Sequence, residues 1–188
     1  MTPTVVMPIR DFDGFTRLAG LLTSPERADL AIELADSVRA AAIAAGLPVH
    51  IVSSDAAVRR WADDHDVPVV EDPGGGLDEA CEAAIADMTT WLVVHADLPG
   101  LDAPTLVGLA EAAASGVVIA PSADGGTNVI GAPHPIRFQF GPGSFHRHLA
   151  DHPSATVVVD PRTSIEIDTP AHLDGMPATW MPSSLGAR

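Results

Sequence analysis

The sequence predicts a three-layer α/β/α domain built around a largely parallel sheet, and three observations carry that expectation. The 188 residues are 46% hydrophobic, with a mean hydropathy of +0.21, enough apolar material to bury one compact core. Short β-branched apolar runs alternate with helix-length amphipathic segments, which is the pattern of βαβ units. One run, Trp91 to His95, is strongly apolar and reads as a central strand.

In chain order, Thr4 to Pro8 is a buried strand stopped by Pro8, followed by a polar loop from Ile9 to Gly20. Ser24 then reads as the N-cap of a helix, with Pro25 in its first turn and Arg27 where a capping box would want Glu or Gln. Leu30, Leu34, Val38 and Ala41 continue it at spacings of four, four and three, and Gly46 ends it. Val49 to Ser53 is a second strand, and Asp55 caps a helix to about His65. Val67 to Val70 is a stub or edge strand because it contains Pro68.

Gly74 to Gly76 turn into a helix from Leu77 to about Met88, and the Trp91 strand breaks into Ala96-Asp97-Leu98-Pro99-Gly100. A helix from Ala103 to Ala114 and a strand from Val117 to Ala120 follow. A polar turn from Pro121 to Thr127 then leads to a returning strand, Asn128 to Gly131. Gly141 to Ser144 open a short helix, Thr156 to Val159 is the last strand, and Thr169 to Leu173 a last helical turn. One domain over residues 1–175 is expected, followed by a tail, 176–188, whose Pro177, Pro182, Ser183, Ser184 and Gly186 read as frayed.

Composition excludes several function classes. Twenty-five acidic residues against ten basic ones give a formal charge of −15, a field that repels nucleic-acid backbones and anionic lipid surfaces. All ten basic residues are Arg; with no Lys and no Tyr, a lysine Schiff base, a P-loop lysine and a tyrosine acid are all out. Anions must be held by Arg, by backbone N–H groups or by a metal. The single Cys81 sits in an Ala-rich helical stretch and reads as a buried small hydrophobe. No stretch approaches the roughly 20 apolar residues that span a bilayer, and a cytoplasmic protein is expected.

In an open parallel sheet ligands bind beyond the carboxyl ends of the strands, so the residues after each apolar run are the candidates. Asp97 follows the most hydrophobic strand, where an unpartnered carboxylate is costly; either a hard cation bridging to phosphate compensates it, or it caps a turn. Asp168, before Thr169-Pro170, is in isolation a plain helix start. Only a meeting of Asp97 with Asp168 makes a metal pair. Arg10 and Arg17 follow the first strand and either neutralise phosphate or pair with Asp11 and Asp13. Three glycine-rich turns, Gly74 to Gly76, Gly125-Gly126-Thr127 and Gly141 to Ser144, let backbone N–H groups approach an anion, and the last also opens a helix. His146, His148 and His152 lie close in sequence, but the ligand count is short for zinc and no Glu-containing zinc motif accompanies them.

Taken together, these segments resemble a known family. Val6-Met7-Pro8-Ile9-Arg10, Thr16-Arg17-Leu18, Ser24-Pro25-Glu26-Arg27, Val52-Ser53-Ser54-Asp55, Gly76-Leu77-Asp78-Glu79-Ala80 and Ala96-Asp97-Leu98-Pro99 are followed by the Pro121 to Asn128 turn. Gly141 to Phe145, His148 and Ile167-Asp168-Thr169-Pro170 complete the set. Their order and spacing are similar to those of the 2-phospho-L-lactate and phosphoenolpyruvate guanylyltransferases of deazaflavin coenzyme (F-420) biosynthesis, over nearly the full length. The resemblance implies a Rossmann-like nucleotidyltransferase fold with a mostly parallel mixed sheet. It also implies transfer of GMP from GTP to a small phosphorylated acid with loss of pyrophosphate, by a Mg2+-dependent monomer or homodimer.

On that resemblance Asp97 and Asp168 would hold Mg2+, and Arg17 would contact the triphosphate. Arg10, Ser53, Leu77 and Asp78 would lie along the nucleotide, and Thr127, Gly141 and Ser144 along the acid. The family usually has Lys where Arg10 and Phe15 stand, Asn where Asp78 stands, and Asp where Glu166 stands. Those departures keep a second reading open, a non-catalytic nucleotide binder or a transferase for another acceptor such as molybdopterin or a sugar phosphate.

Overall fold

The computed structural model describes residues 2–174 and 176–185. Met1 and Gly186, which the sequence places at the termini, lie outside them, as does Gly175 at the expected domain boundary. Seven strands form one sheet: β1 (Thr4–Pro8), β2 (Val49–Val52), β3 (Val69–Val70), β4 (Trp91–Val94), β5 (Val118–Pro121), β6 (Thr127–Ala132) and β7 (Thr156–Val157). Between them run α1 (Ser24–Ala44), α2 (Ala56–Asp64), α3 (Leu77–Ile85), α4 (Ala103–Ser115), α5 (Ser144–Asp151), α6 (Pro161–Ser164) and α7 (Pro170–Leu173).

The strand order is β3-β2-β1-β4-β6-β5-β7. All neighbours are parallel except β6, which runs antiparallel to both β4 and β5. This is the mostly parallel mixed sheet that the sequence predicts. From β1 the chain adds strands on one side, then returns to add β4 on the other, so a switch point with an open crevice lies between β1 and β4.

Alternation along the strands builds the two cores. Val5 and Met7 of β1, with Leu92 and Val94 of β4, face Ala35 and Val38 of α1, Val58 of α2 and Leu109 of α4. Val6, Trp91 and Val93 point the other way, to Ala80, Cys81 and Ala84 of α3 and to Phe138. Cys81 is thus a core residue, and burial raises its thiol pKa far above the ordinary value. The expected stub is an edge strand reduced to Val69–Val70, just after Pro68, and no helix among the described residues is long and apolar enough to cross a membrane.

Two local readings change. The cap of α1 is Thr23 rather than Ser24: its N–H and hydroxyl both donate to the Glu26 carboxylate at 2.7 Å, so the capping box exists one residue earlier, with Glu26 in the place expected for Arg27. Over residues 176–185 the tail is held rather than frayed. Backbone N–H groups of Ser183 and Ser184 donate to the Glu33 carboxylate at 2.6 and 3.0 Å, and Met176 and Leu185 pack against Leu18, Leu22 and Leu30.

One close approach fixes how α4 lies on the sheet. A Cβ on Gly131 would stand 2.5 Å from Leu92 Cδ2, 2.7 Å from the Trp91 carbonyl oxygen and 3.1 Å from the Ala113 methyl. Backbone cannot yield as a flexible side chain can, so Gly131→Ala is expected to destabilise by about 2–3 kcal/mol. Calorimetry should find a melting temperature lower by about 5–10 °C.

Candidate active site

The carboxyl ends of β1, β2 and β4 open onto a cavity of about 440 Å3 whose wall includes Pro8, Arg10, Val52, Leu77, His95 and Asp97. A second cavity of about 260 Å3 is walled by Arg17, Thr127, Gly141, Ser144, Glu166 and Asp168, again with His95 and Asp97. The two therefore share the His95–Asp97 step that follows β4, placed at the switch point by the strand order.

Asp168 reaches this step through one backbone contact. Ile167 N–H donates to the Asp97 carbonyl at 3.1 Å, and the Ile167 side chain is fully buried with Leu18, Leu30 and Leu34. The residues on either side, Glu166 and Asp168, both stand in the wall of the smaller cavity. The carboxylates of Asp97, Glu166 and Asp168 thus gather at one step. The Asp97 Oδ1 is buried with no hydrogen-bond partner.

Burial pushes the Asp97 pKa up to about 6, with the charge of Asp168 adding to the rise and its own backbone opposing it. Burial likewise lifts Glu166 to about 7, reinforced by Asp97 and opposed by the Asn128 amide. Asp168 instead pairs its Oδ2 with Arg17 Nη1, an ion pair closed between residues 151 positions apart. Among the described residues no group of three or more His, Cys, Asp or Glu side chains forms a ready-made metal cluster. What the wall offers a cation is the orphaned Asp97 oxygen, Glu166, and an Asp168 already held by arginine.

Arg10 is exposed on the rim of the larger cavity, its Nε 2.7 Å from Asp11 Oδ2. Phe15 stands in the same wall with φ of 54°, a left-handed conformation uncommon for a bulky residue, and caps the short 3-10 turn that presents Arg17. Leu77 is at the start of α3 in that wall.

Ser53 and Asp78, expected along the nucleotide, are not brought to either wall. Ser53 is fully buried, and its hydroxyl accepts the Asp55 N–H at 3.1 Å to shape the turn into α2. The Asp78 carboxylate accepts the Phe140 N–H at 2.7 Å and pins the loop before α5. That loop is further held by the Arg147 guanidinium, which donates to the carbonyls of Pro142 at 2.7 Å and Gln139 at 2.9 Å. Gly141 and Gly143 turn there with φ of 103° and 71°, conformations that favour glycine.

Thr127 opens β6 and Ser144 opens α5, and their hydroxyls are 3.1 Å apart. Both ring nitrogens of His148 are hydrogen-bonded inside the protein, which leaves this histidine no free nitrogen for a metal.

Sequence reasoning singled out Glu166 only as a departure from the family pattern, and it did not expect Glu166 or His95 in the wall. The Glu-Ile-Asp alternation about a buried isoleucine was the available signal for Glu166. His95 directly follows the apolar strand; its Nε2 is buried without a partner, and burial lowers its pKa to about 4.

The sequence matches the family described as "Guanylyl transferase CofC like" over residues 3–174. A phosphoenolpyruvate guanylyltransferase of Roseiflexus castenholzii is 33% identical over 154 residues, 78% of this chain and 72% of that one. A 2-phospho-L-lactate guanylyltransferase of Haloarcula marismortui is 31% identical over 196 residues, 96% of this chain and 91% of that one. A solved structure from Desulfovibrio desulfuricans G20, whose description names a nucleotide-diphospho-sugar transferase, superposes with a TM-score of 0.77 at 14% identity over 99% of this chain and 94% of that one, showing a shared fold. With the family match covering nearly the whole chain, the protein belongs to the guanylyl transferase CofC-like family.

Proposed function

We propose that the chain transfers GMP from GTP to phosphoenolpyruvate or 2-phospho-L-lactate, releasing pyrophosphate, in F-420 biosynthesis, with Mg2+ as cofactor. The observation that carries this reading is the shared wall. The larger cavity has the size of a small-molecule site, the smaller one gathers Arg17 with the Thr127 and Ser144 hydroxyls, and the Asp97 carboxylate stands between them. Family membership and the relatives' named activities support it.

In this reading a phosphate oxygen of the acid attacks the α-phosphorus of GTP, and the bond to the departing pyrophosphate breaks. The nucleophile is already ionised, so the protein must supply alignment and charge neutralisation rather than a base. Arg17 would meet the triphosphate, Arg10 its far side at the rim, and Leu77 the nucleoside. Thr127, Ser144 and the backbone at Gly141 would hold the acid, with no acidic side chain in the first turn of α5 to oppose its charge. Mg2+, when bound, would neutralise phosphate charge, with Asp97 and Asp168 as its holders and Glu166 beside them. The orphaned, buried Asp97 oxygen is what fits these residues to a cation.

The test is pyrophosphate release from GTP and Mg2+ with each acid. Release is expected with at least one of them and not with Asp97→Asn; a wild-type rate no higher than that of the variant overturns the reading.

A further inference from the structure

We infer that His148 is a positioning residue that fixes the polarity of the Thr127–Ser144 hydroxyl pair, leaving one hydroxyl hydrogen free to donate to an anionic oxygen of the phosphorylated acid in the smaller cavity. The identity of that anion rests on the guanylyltransferase reading; the polarity itself does not.

Counting hydrogens fixes the polarity. His148 is fully buried on α5, and its Nε2 receives the backbone N–H of Gln139 at 2.9 Å. A backbone amide only donates, so Nε2 must present its lone pair. In such a burial the ring stays neutral, and a neutral ring with a bare Nε2 carries its proton on Nδ1. Nδ1 lies 3.0 Å from Thr127 Oγ1, so the ring donates and the threonine oxygen accepts.

Thr127 and Ser144 bring two hydroxyl hydrogens. One closes the 3.1 Å contact between them, whichever oxygen donates it. The other cannot go to His148, because Nδ1 is already protonated. Among the described residues neither hydroxyl has a further hydrogen-bond partner, side chain or backbone, and Thr127 and Ser144 are both wall residues of the smaller cavity. The remaining hydrogen is therefore available to a ligand oxygen.

With the opposite tautomer the count reverses. Nδ1 would absorb the spare hydrogen, the Gln139 N–H would face another N–H, and the cavity would meet only hydroxyl lone pairs, which repel an anion. In a wall that already holds Asp97, Glu166 and Asp168, this donor matters. Packing holds the ring in this orientation, since Phe140 lies edge-on against it with centroids 5.3 Å apart and Asp78 anchors the Phe140 N–H. Asp78, although in neither wall, thereby supports the placement of the donor.

Three measurements test this. In wild-type protein carrying 15N-labelled histidine, long-range proton–nitrogen correlation should show His148 neutral with its proton on Nδ1; a proton on Nε2 overturns the inference. In kinetics, Asn can return an N–H near the Nδ1 position and Gln an oxygen near Nε2. His148→Gln is therefore expected to raise the KM for the acid about ten- to a hundredfold, and His148→Asn less, while the KM for GTP changes little. Equal rises for both substrates, or the reverse order of the two variants, overturn it. On a Thr127→Val background, His148→Gln should add little to the acid KM, and independent, multiplying effects count against the proposal. Should wild type release no pyrophosphate, the guanylyltransferase reading fails by itself. Phosphoenolpyruvate added alone then decides the inference, by shifting the His148 Nδ1–H resonance or leaving it unmoved.

Discussion

Asp97→Asn is expected to lower pyrophosphate release by about 10^3-fold or more while raising the thermal stability of the protein at neutral pH. The two effects have one cause. Burial holds the Asp97 carboxyl near 6 and Glu166 near 7, against ordinary values of 3.8 and 4.5. Between those limits the folded chain binds more protons than the unfolded one, so stability is full below about pH 4 and declines as pH rises through 6 and 7. Above pH 7 the ionised Asp97 opposes folding by up to about 3 kcal/mol, since each pKa unit is about 1.4 kcal/mol. Asparagine removes that charge and eases ionisation of Glu166 beside it. Calorimetry at pH 7.5 should find the variant melting about 5 °C above wild type, with the gain fading toward pH 4. A variant less stable than wild type at pH 7.5 would mean that Asp97 is a satisfied structural carboxylate.

That prediction could be framed from the sequence because an aspartate three positions after the end of a four-residue apolar strand is legible as strain: Trp91 to Val94 are all buried, and burying a carboxylate beside them is costly. Ser53 and Asp78 are implied along the nucleotide by the resemblance alone, and neither stands in the wall of the two cavities. A polar residue after a strand or at a helix start looks like a ligand contact, yet turns must also satisfy their own backbone N–H groups, and there both side chains are used. The α1 cap slipped by one residue because Thr23 and Ser24 are both good caps and proline fits either of the first two helical positions. The tail's Pro and Ser content reads as loose chain, and no local pattern reveals that Glu33, 150 positions away, binds the Ser183 N–H. Long-range closure is where one sequence is silent. The Arg17–Asp168 pair spans 151 positions, and only the ordered family motifs placed both residues at one site.

Arg17 carries the second large effect: Arg17→Ala is expected to lower kcat/KM for GTP by about 10^2- to 10^3-fold, with a stability change below about 1 kcal/mol. The fold does not depend on the guanidinium. Leu18, fully buried, anchors the 3-10 turn, and its N–H closes on the Phe15 carbonyl at 2.8 Å. The side chains of the Arg17–Asp168 pair are 67% and 35% exposed, so water and salt screen most of their attraction. Substrate capture is a different matter. Among the described residues Arg17 is the one arginine in the wall of the smaller cavity, which also holds Asp97, Glu166 and Asp168, in a chain of net charge −15. Without it a triphosphate approaches a nearly uniform negative field. Arg17→Lys restores the charge but not the two-pronged donor geometry, so it should recover part of the loss. Wild-type kcat/KM should also fall with added salt more steeply than that of Arg17→Ala. Equal salt slopes, or a melting temperature that drops in step with activity, would show that Arg17 serves the fold and not the nucleotide.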